Sequence, residues 1–315
     1  MFDTTNNPMK IILIGFLILT NLAFAQVKSE FLLHKANDAF NSKDFATALS
    51  FYDQSIKEDK TNMEAVFGRG RTKVELKDYE GAIKDFGTVL KSNPNHIGAL
   101  INRGNLYSVL KDFQNALKDF NKAEELDHSH SSVFYNRGRT YFMMKKYDLA
   151  IADYTRAIEL NPTDKNAFHK RAECYNYAGM IDSAQKDLER ILEIDGTDTD
   201  AKINLAFCYI SKKQFQDANT LYEQLFQADS SEPYVLSNFG YVKHMLGNSE
   251  EGLKLINKSL EIMPKNSYAY KYLAEIYLKL NDIKKACEAI NTGLKLGFTN
   301  DYGSELENMK KSNCK

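Results

Sequence analysis

Glycine and proline are scarce, 16 and 5 among 315 residues. So few turn-formers exclude an all-β chain of short strands and leave no glycine-rich phosphate loop. Charge of one sign is not in excess either: 41 Lys and Arg face 42 Asp and Glu, a net charge of −1. No run of four basic residues occurs, so the electrostatic footprint of a nucleic-acid partner is missing. The catalytic signatures G-x-S-x-G, H-E-x-x-H and C-x-x-C are absent. The six histidines are scattered; His128 and His130 bracket a short loop and are read as solvated groups. The expectation is a protein without enzymatic activity, cofactor or metal.

One long hydrophobic run is present. Lys10 precedes residues 11–25, apolar nearly throughout and ending in Ala23-Phe24-Ala25. A basic residue, a short apolar core and a small-x-small end read as a secretory signal over residues 1–25. The run is short for a membrane span, and no cysteine follows it to carry a lipid. Cleavage after Ala25 would leave Gln26 first, with residues 26–28 as a short linker. The mature chain is expected to be periplasmic or secreted, with no membrane insertion.

From Ser29 onward the chain repeats every 34 residues without insertion. Small residues recur at position 20 of the unit: Ala48, Ala82, Ala116, Ala150, Ala184, Ala218, Gly252 and Ala286. A second small series falls at position 8: Ala36, Gly70, Gly104, Gly138, Ala172, Ala206, Gly240 and Ala274. A bulky series follows at position 24: Tyr52, Phe86, Phe120, Tyr154, Leu188, Tyr222, Ile256 and Ile290. Two antiparallel helices approach closely only where side chains are nearly absent, so positions 8 and 20 mark the crossing and position 24 fills the next layer. Turns lie between, as at Lys43-Asp44, Lys111-Asp112 and Gly247-Asn248, and Pro94, Pro162 and Pro264 stop second helices. The pattern predicts sixteen helices between residues 29 and 300.

This pattern resembles the tetratricopeptide repeat (TPR) family. Beyond the small positions it has Tyr at position 11 (Tyr107, Tyr141, Tyr175, Tyr209, Tyr277) and aromatics at position 17 (Phe45, Tyr79, Phe113, Tyr147, Phe215). Departures are the lack of Trp at position 4 and, in the seventh unit, Ser249 and Gly252, which suggest weaker packing there. The resemblance implies an all-α fold, a right-handed α-solenoid superhelix of helix-turn-helix repeats with a concave groove. Eight repeats are expected at 29–62, 63–96, 97–130, 131–164, 165–198, 199–232, 233–266 and 267–300, with a C-terminal capping helix and tail over 301–315.

Position 7 is Arg69, Arg103, Arg137 and Arg171 in the second to fifth units, then Leu205, Phe239 and Leu273. Position 23 changes with it, from Asp85, Asp119, Asp153 and Asp187 to Leu221, Leu255 and Ala289. Joint exchange of charge for apolar bulk predicts contact, here an Arg–Asp pair at a mostly exposed site. Among the four cysteines, Cys174 and Cys208 repeat at position 10 and are expected as separate core thiols. Cys287 opens the last second helix and Cys314 is penultimate. A C-terminal helix folded back on the array would bring them together as a disulfide.

The resemblance also places positions 2, 5, 6, 9, 12 and 13 in the groove. Position 6 is Asn102, Asn136, Asn204 and Asn238, with Lys170 in the fifth unit. This is similar to the asparagine ladder of the TPR superhelix in the transferase that attaches N-acetylglucosamine to proteins, where amides grip an extended peptide backbone. An amide offers both donors and acceptors to any peptide unit. Asn105 joins the candidate set, matching one position of a carboxylate-clamping TPR mode. Groove aromatics include Phe67, Tyr135, Phe142, Tyr177, Phe207, Tyr234, Tyr241 and Tyr268. The expected role is an adaptor for an extended segment of another protein. The alternative is an assembly subunit that packs on a folded envelope protein through its convex face.

Overall fold

A computed structural model describes residues 8–314, with side chains for 23–300 and 302–314. The described residues are helical, without a strand. They form two compact units: the first ends at Asn161 and the second begins at Pro162. The first holds α1 (Pro8–Asn41), α2 (Phe45–Glu58), α3 (Met63–Glu75), α4 (Tyr79–Ser92), α5 (Ile97–Val109), α6 (Phe113–Leu126), α7 (Ser131–Met143) and α8 (Tyr147–Leu160). The second holds α9 (Lys165–Tyr177), α10 (Ile181–Ile194), α11 (Thr199–Ser211), α12 (Phe215–Ala228), α13 (Pro233–Met245), α14 (Ser249–Ile262), α15 (Ser267–Lys279), α16 (Ile283–Lys295), α17 (Phe298–Tyr302) and α18 (Glu305–Asn313).

Residues 26–28 are not a linker, because α1 runs unbroken from Pro8 to Asn41. Ser29 lies inside that helix, fully buried, and its hydroxyl meets that of Ser55 at 2.8 Å. Of the expected signal segment, residues 1–7 lie outside the described residues, as do the side chains of 8–22. The end of the segment is exposed, with Phe24 prominent.

The turn inside each helix pair is one motif used eight times. Its position-15 residue takes a left-handed conformation at Lys43, Lys77, Lys111, Lys145, Gly179, Lys213, Gly247 and Asn281. The next amide closes back on the carbonyl of position 11, as in Asp112 N to Tyr107 O (2.8 Å) and Asp282 N to Tyr277 O (2.8 Å). That is a Schellman end, which satisfies two otherwise orphaned carbonyls. Asp44, Asp78, Asp112, Asn248 and Asp282 then cap the following helix with their side chains. Asn62, His96, Asp164, Asp198, Glu232 and Asn266 cap the first helices in the same way.

The small residues sit where helices cross. The position-20 residues Ala48, Ala82, Ala116, Ala150, Ala184, Ala218 and Ala286 are wholly buried, and a Cβ on Gly104 would meet the Phe120 ring at 3.0 Å. The expected weakness of the seventh unit is overturned. A Cβ on Gly252 would stand 2.5 Å from the Gly240 carbonyl oxygen, and one on Gly240 2.6 Å from that of Gly252. The two glycines let α13 and α14 touch backbone to backbone, so Gly252 marks close packing.

All four Arg–Asp pairs form, and each is bidentate. Nε and Nη2 reach the two carboxylate oxygens at 2.9 and 2.6 Å in Arg69–Asp85, 2.8 and 2.8 Å in Arg103–Asp119, 2.8 and 2.8 Å in Arg137–Asp153, and 2.8 and 2.7 Å in Arg171–Asp187. The expected exposure is wrong. Asp85, Asp119, Asp153 and Asp187 are only 2, 4, 7 and 4% exposed. With the carboxylates so far from solvent, these are interior ion pairs that depend on both partners. In the later pairs Phe239 and Leu255 share one apolar cluster, and Leu273 and Ala289 another. The first pair uses a third solution: the Lys35 ammonium lies 5.6 Å from the Phe51 ring centre.

The last helix pair is closed by the C-terminal segment. Leu306 of α18 is fully buried and would meet a Cβ on Gly293 at 2.6 Å, and Phe298 of α17 is also buried. Cys287 and Cys314 are joined, with Cα atoms 5.7 Å apart. Cys174 and Cys208 are separate buried thiols. Burial pushes the Cys174 thiol up to about 12 and Cys208 to about 11, so both stay protonated and unreactive.

Candidate peptide-binding face

Several successive first helices touch within a unit, α1 on α3 and α5 on α7 in the first, α11 on α13 and α13 on α15 in the second. Successive second helices make no comparable contact. The first helices therefore form the tighter side of each unit. Each unit has a cleft with aromatic walls on that side.

The cleft of the first unit, about 290 Å³, is lined by Asn37, Phe40, Asn41, Tyr52, Glu64, Phe67, Gly68 and Arg71. The Arg71 guanidinium lies 4.5 Å from the centre of the Phe40 ring, and Tyr52 donates to Asn37 Oδ1 at 2.6 Å. Glycine is required at position 6 here, because a Cβ on Gly68 would stand 2.4 Å from the Tyr52 ring.

The cleft of the second unit, about 260 Å³, is lined by Phe207, Tyr234, Ser237, Asn238, Asn266, Tyr268, Tyr302 and Glu305. Tyr234 and Tyr302 are about half exposed, at 48 and 49%. Tyr268 packs edge-on against Tyr302 with ring centres 4.8 Å apart. The Lys271 ammonium lies 5.1 Å from the Tyr268 ring centre, 2.8 Å from Glu305 and 3.4 Å from Glu275. Burial opposes its charge, yet Tyr268, Glu275 and Glu305 hold it above the ordinary lysine value.

The asparagine ladder is not one uniform row of open amides. Asn102 and Asn136 turn an Nδ2 hydrogen back onto their own helices, to Gly98 O and Ser132 O at 2.7 Å each. Both are half-buried, and one donor of each amide is consumed by the i−4 carbonyl. In the second unit Asn204 is exposed, and Asn238 accepts from Tyr272 Oη at 3.0 Å. Lys170 is paired with Glu173 at 2.8 Å. Asn105 has a buried Oδ1 without a partner. Tyr135 packs on Tyr154 with ring centres 5.7 Å apart, and Tyr241 stacks on Tyr272 at 4.2 Å. These two rings are largely packing, whereas Tyr177 and Tyr234 are exposed, at 62 and 48%.

Sequence reasoning missed Tyr302 and Glu305, because the 34-residue register ends before them. The aromatic pair Phe298, at the end of the last unit, and Tyr302, just beyond it, was the available signal. It also missed a larger cavity of about 890 Å³ away from this face, between α4, α5 and α6, lined in part by Leu90, Lys91, Pro94, Leu117, Lys118 and Lys122. Among the described residues no group of three or more His, Cys, Asp or Glu is arranged to hold a metal, and no helix is long and apolar enough to cross a membrane. His130 immediately precedes α7, its Nδ1 2.9 Å from Ser132 Oγ.

The tetratricopeptide repeat family matches residues 64–96, 98–130, 131–164 and 177–237, together about half of the chain. The chain belongs to the tetratricopeptide repeat family. Its helix-turn-helix solenoid is the architecture of a non-catalytic protein–protein interaction scaffold. No curated protein matches the chain by sequence. Among solved structures, a TPR protein from Parabacteroides merdae is 18% identical, with a TM-score of 0.56 over 80% of this chain and 99% of that one. Pseudomonas aeruginosa pilF is 15% identical, with a TM-score of 0.59 over 68% of this chain and 97% of that one. YrrB, described as a TPR protein with an unusual peptide-binding site, is 22% identical, with a TM-score of 0.52 over 58% of this chain and 95% of that one. At these identities the likeness is one of fold.

Proposed function

We propose that this TPR protein is an exported adaptor that holds an extended segment of a partner protein against its first helices. The observation that carries the reading is the second-unit cleft, where half-exposed Tyr234 and Tyr302 stand beside the amide of Asn238. Tyrosine supplies contact area at small entropic cost, and amides match peptide backbone of any sequence. Exposed Asn204 extends the polar track along α11. A peptide-binding site is also what YrrB is described as having.

In this reading the eight 34-residue units from Ser29 to Asn300 are eight TPR repeats, and residues 1–25 are a signal removed after Ala25. Exposed Phe24 and Val27 flank that bond, and the Cys287–Cys314 bridge suits an oxidising compartment such as the periplasm or the exterior. The mature protein then has no membrane insertion. The test is capture of partners from an envelope fraction. Capture is expected to be lost in Asn204→Ala with Asn238→Ala, and kept in Leu117→Asp.

A second reading is favoured by the cavity between α4, α5 and α6. Its floor is apolar at Leu90, Leu100 and Leu117, and its rim carries Lys91, Lys118 and Lys122. A folded partner docking there would be lost in Leu117→Asp and kept in the asparagine variants.

A further inference from the structure

We infer that the second-unit cleft is a pocket for the cationic side chain of an arginine or lysine in the bound segment. The inference rests on the adaptor reading above and names the chemistry of what enters the cleft. Three kinds of observation converge on it.

The first is the wall. Tyr234, Tyr268 and Tyr302 surround a space large enough for one long side chain, about 260 Å³. The faces of aromatic rings attract a cation within about 6 Å of the ring centre. The second is the charge. Among the described residues Glu305 is the one ionisable acid or base lining the cleft besides the tyrosine phenols, and its side chain is 59% exposed. The Lys271 ammonium is shared between Glu275 and Glu305. Among these described groups two carboxylates face one ammonium, a net negative balance. The third is precedent inside the molecule: the Lys271 ammonium already lies against Tyr268 and Glu305. One ring and one carboxylate therefore hold a cation in this fold, and the cleft offers the half-exposed ring of Tyr234 to a second one.

A carboxylate entering the cleft would meet Glu305 and the negative ring faces, and is disfavoured. A neutral side chain of equal shape would bury the same area without the attraction. The comparison of arginine with citrulline therefore isolates the charge. End-blocked octapeptides of alanine and serine carry a single central arginine, citrulline or glutamate. Their affinities for the disulfide-intact full chain are read by competition in fluorescence anisotropy. The arginine peptide is expected to bind about 5- to 30-fold more tightly than the citrulline peptide, the range of a partly desolvated cation–π site. That ratio should fall towards one in both Tyr234→Ala and Glu305→Gln, two exposed positions, with helicity unchanged by circular dichroism. Equal binding of the arginine and citrulline peptides, or a ratio that persists in both variants, overturns the pocket. Loss of all three peptides in Asn204→Ala with Asn238→Ala would leave the adaptor reading standing in that case. Failure of all three peptides to bind the unaltered chain removes both.

Discussion

The buried Arg103–Asp119 pair makes the sharpest energetic prediction, because the same chain solves the same contact in two ways. Asp119 is 4% exposed and accepts two hydrogen bonds of 2.8 Å from Arg103. Arg103→Leu strands that carboxylate in the interior. The expected cost is about 3–5 kcal/mol, the usual penalty for an uncompensated buried charge. Asp119→Leu strands the guanidinium and should cost a similar amount, reduced because Arg103 reaches solvent through a side chain 23% exposed. The double change reproduces the arrangement of Leu205 with Leu221. It should lie between neutral and about 1–4 kcal/mol more stable than the starting chain. Native-state hydrogen exchange of the α5 and α6 amides measures this locally, which suits a repeat array whose unfolding need not be all-or-none. The single variants should lower protection by about 10²- to 10⁴-fold and the double variant should restore it. A single-variant effect below about 1 kcal/mol, typical of a surface pair, would refute the interior ion pair. So would a double variant that costs the sum of the two singles.

Three further outcomes follow from the packing. Gly252→Ala puts a methyl 2.5 Å from the Gly240 carbonyl and should lower stability by about 1–3 kcal/mol or more, seen as early melting of α13 and α14. Cys314→Ser opens a bridge spanning 27 residues and should cost about 3–4 kcal/mol by the chain-entropy argument, read from the denaturation midpoint with and without reductant. His244 is buried, bonded through Nδ1 to Ser249 at 2.8 Å, and desolvation followed by Lys279 holds it below the ordinary histidine value. The unfolded chain then takes up the proton first, so stability is full above about pH 6.5 and falls as pH drops below it; His244→Gln should flatten that slope in urea titrations at stepped pH.

How much of this was legible depended on whether the physical cause was local. The crossings at positions 8, 20 and 24 were readable because sterics permit few residues where backbones meet. The Arg–Asp contact was readable because both positions change together at Leu205 and Leu221. Its burial was not, since a charge at helical spacing looks the same on either side of a covering neighbour. The asparagines illustrate the opposite failure. The family resemblance assigned Asn102 and Asn136 to the groove face, but nothing in the repeat pattern reveals that each amide turns onto its own i−4 carbonyl. Gly252 read as a packing defect, because the matching Gly240 carbonyl across the crossing is a tertiary fact. Tyr302 and Glu305 reach the second-unit cleft from a tail that lies outside the repeat register. The Cys287–Cys314 bridge was within reach because a terminal unit must cover its last apolar face, and α18 does so with Leu306.

The central claim, that a partner segment lies along the first helices, is tested most directly by site-specific photocrosslinking in cells that make the protein. A photoreactive residue is placed in turn at Tyr234, on the first-helix face, and at Lys118, on the rim of the α4–α6 cavity. The account predicts a discrete crosslinked adduct from position 234 and none from position 118, with the adduct mapping to one short segment of the partner. Adducts from position 118 alone, spread over a folded surface of the partner, would contradict it.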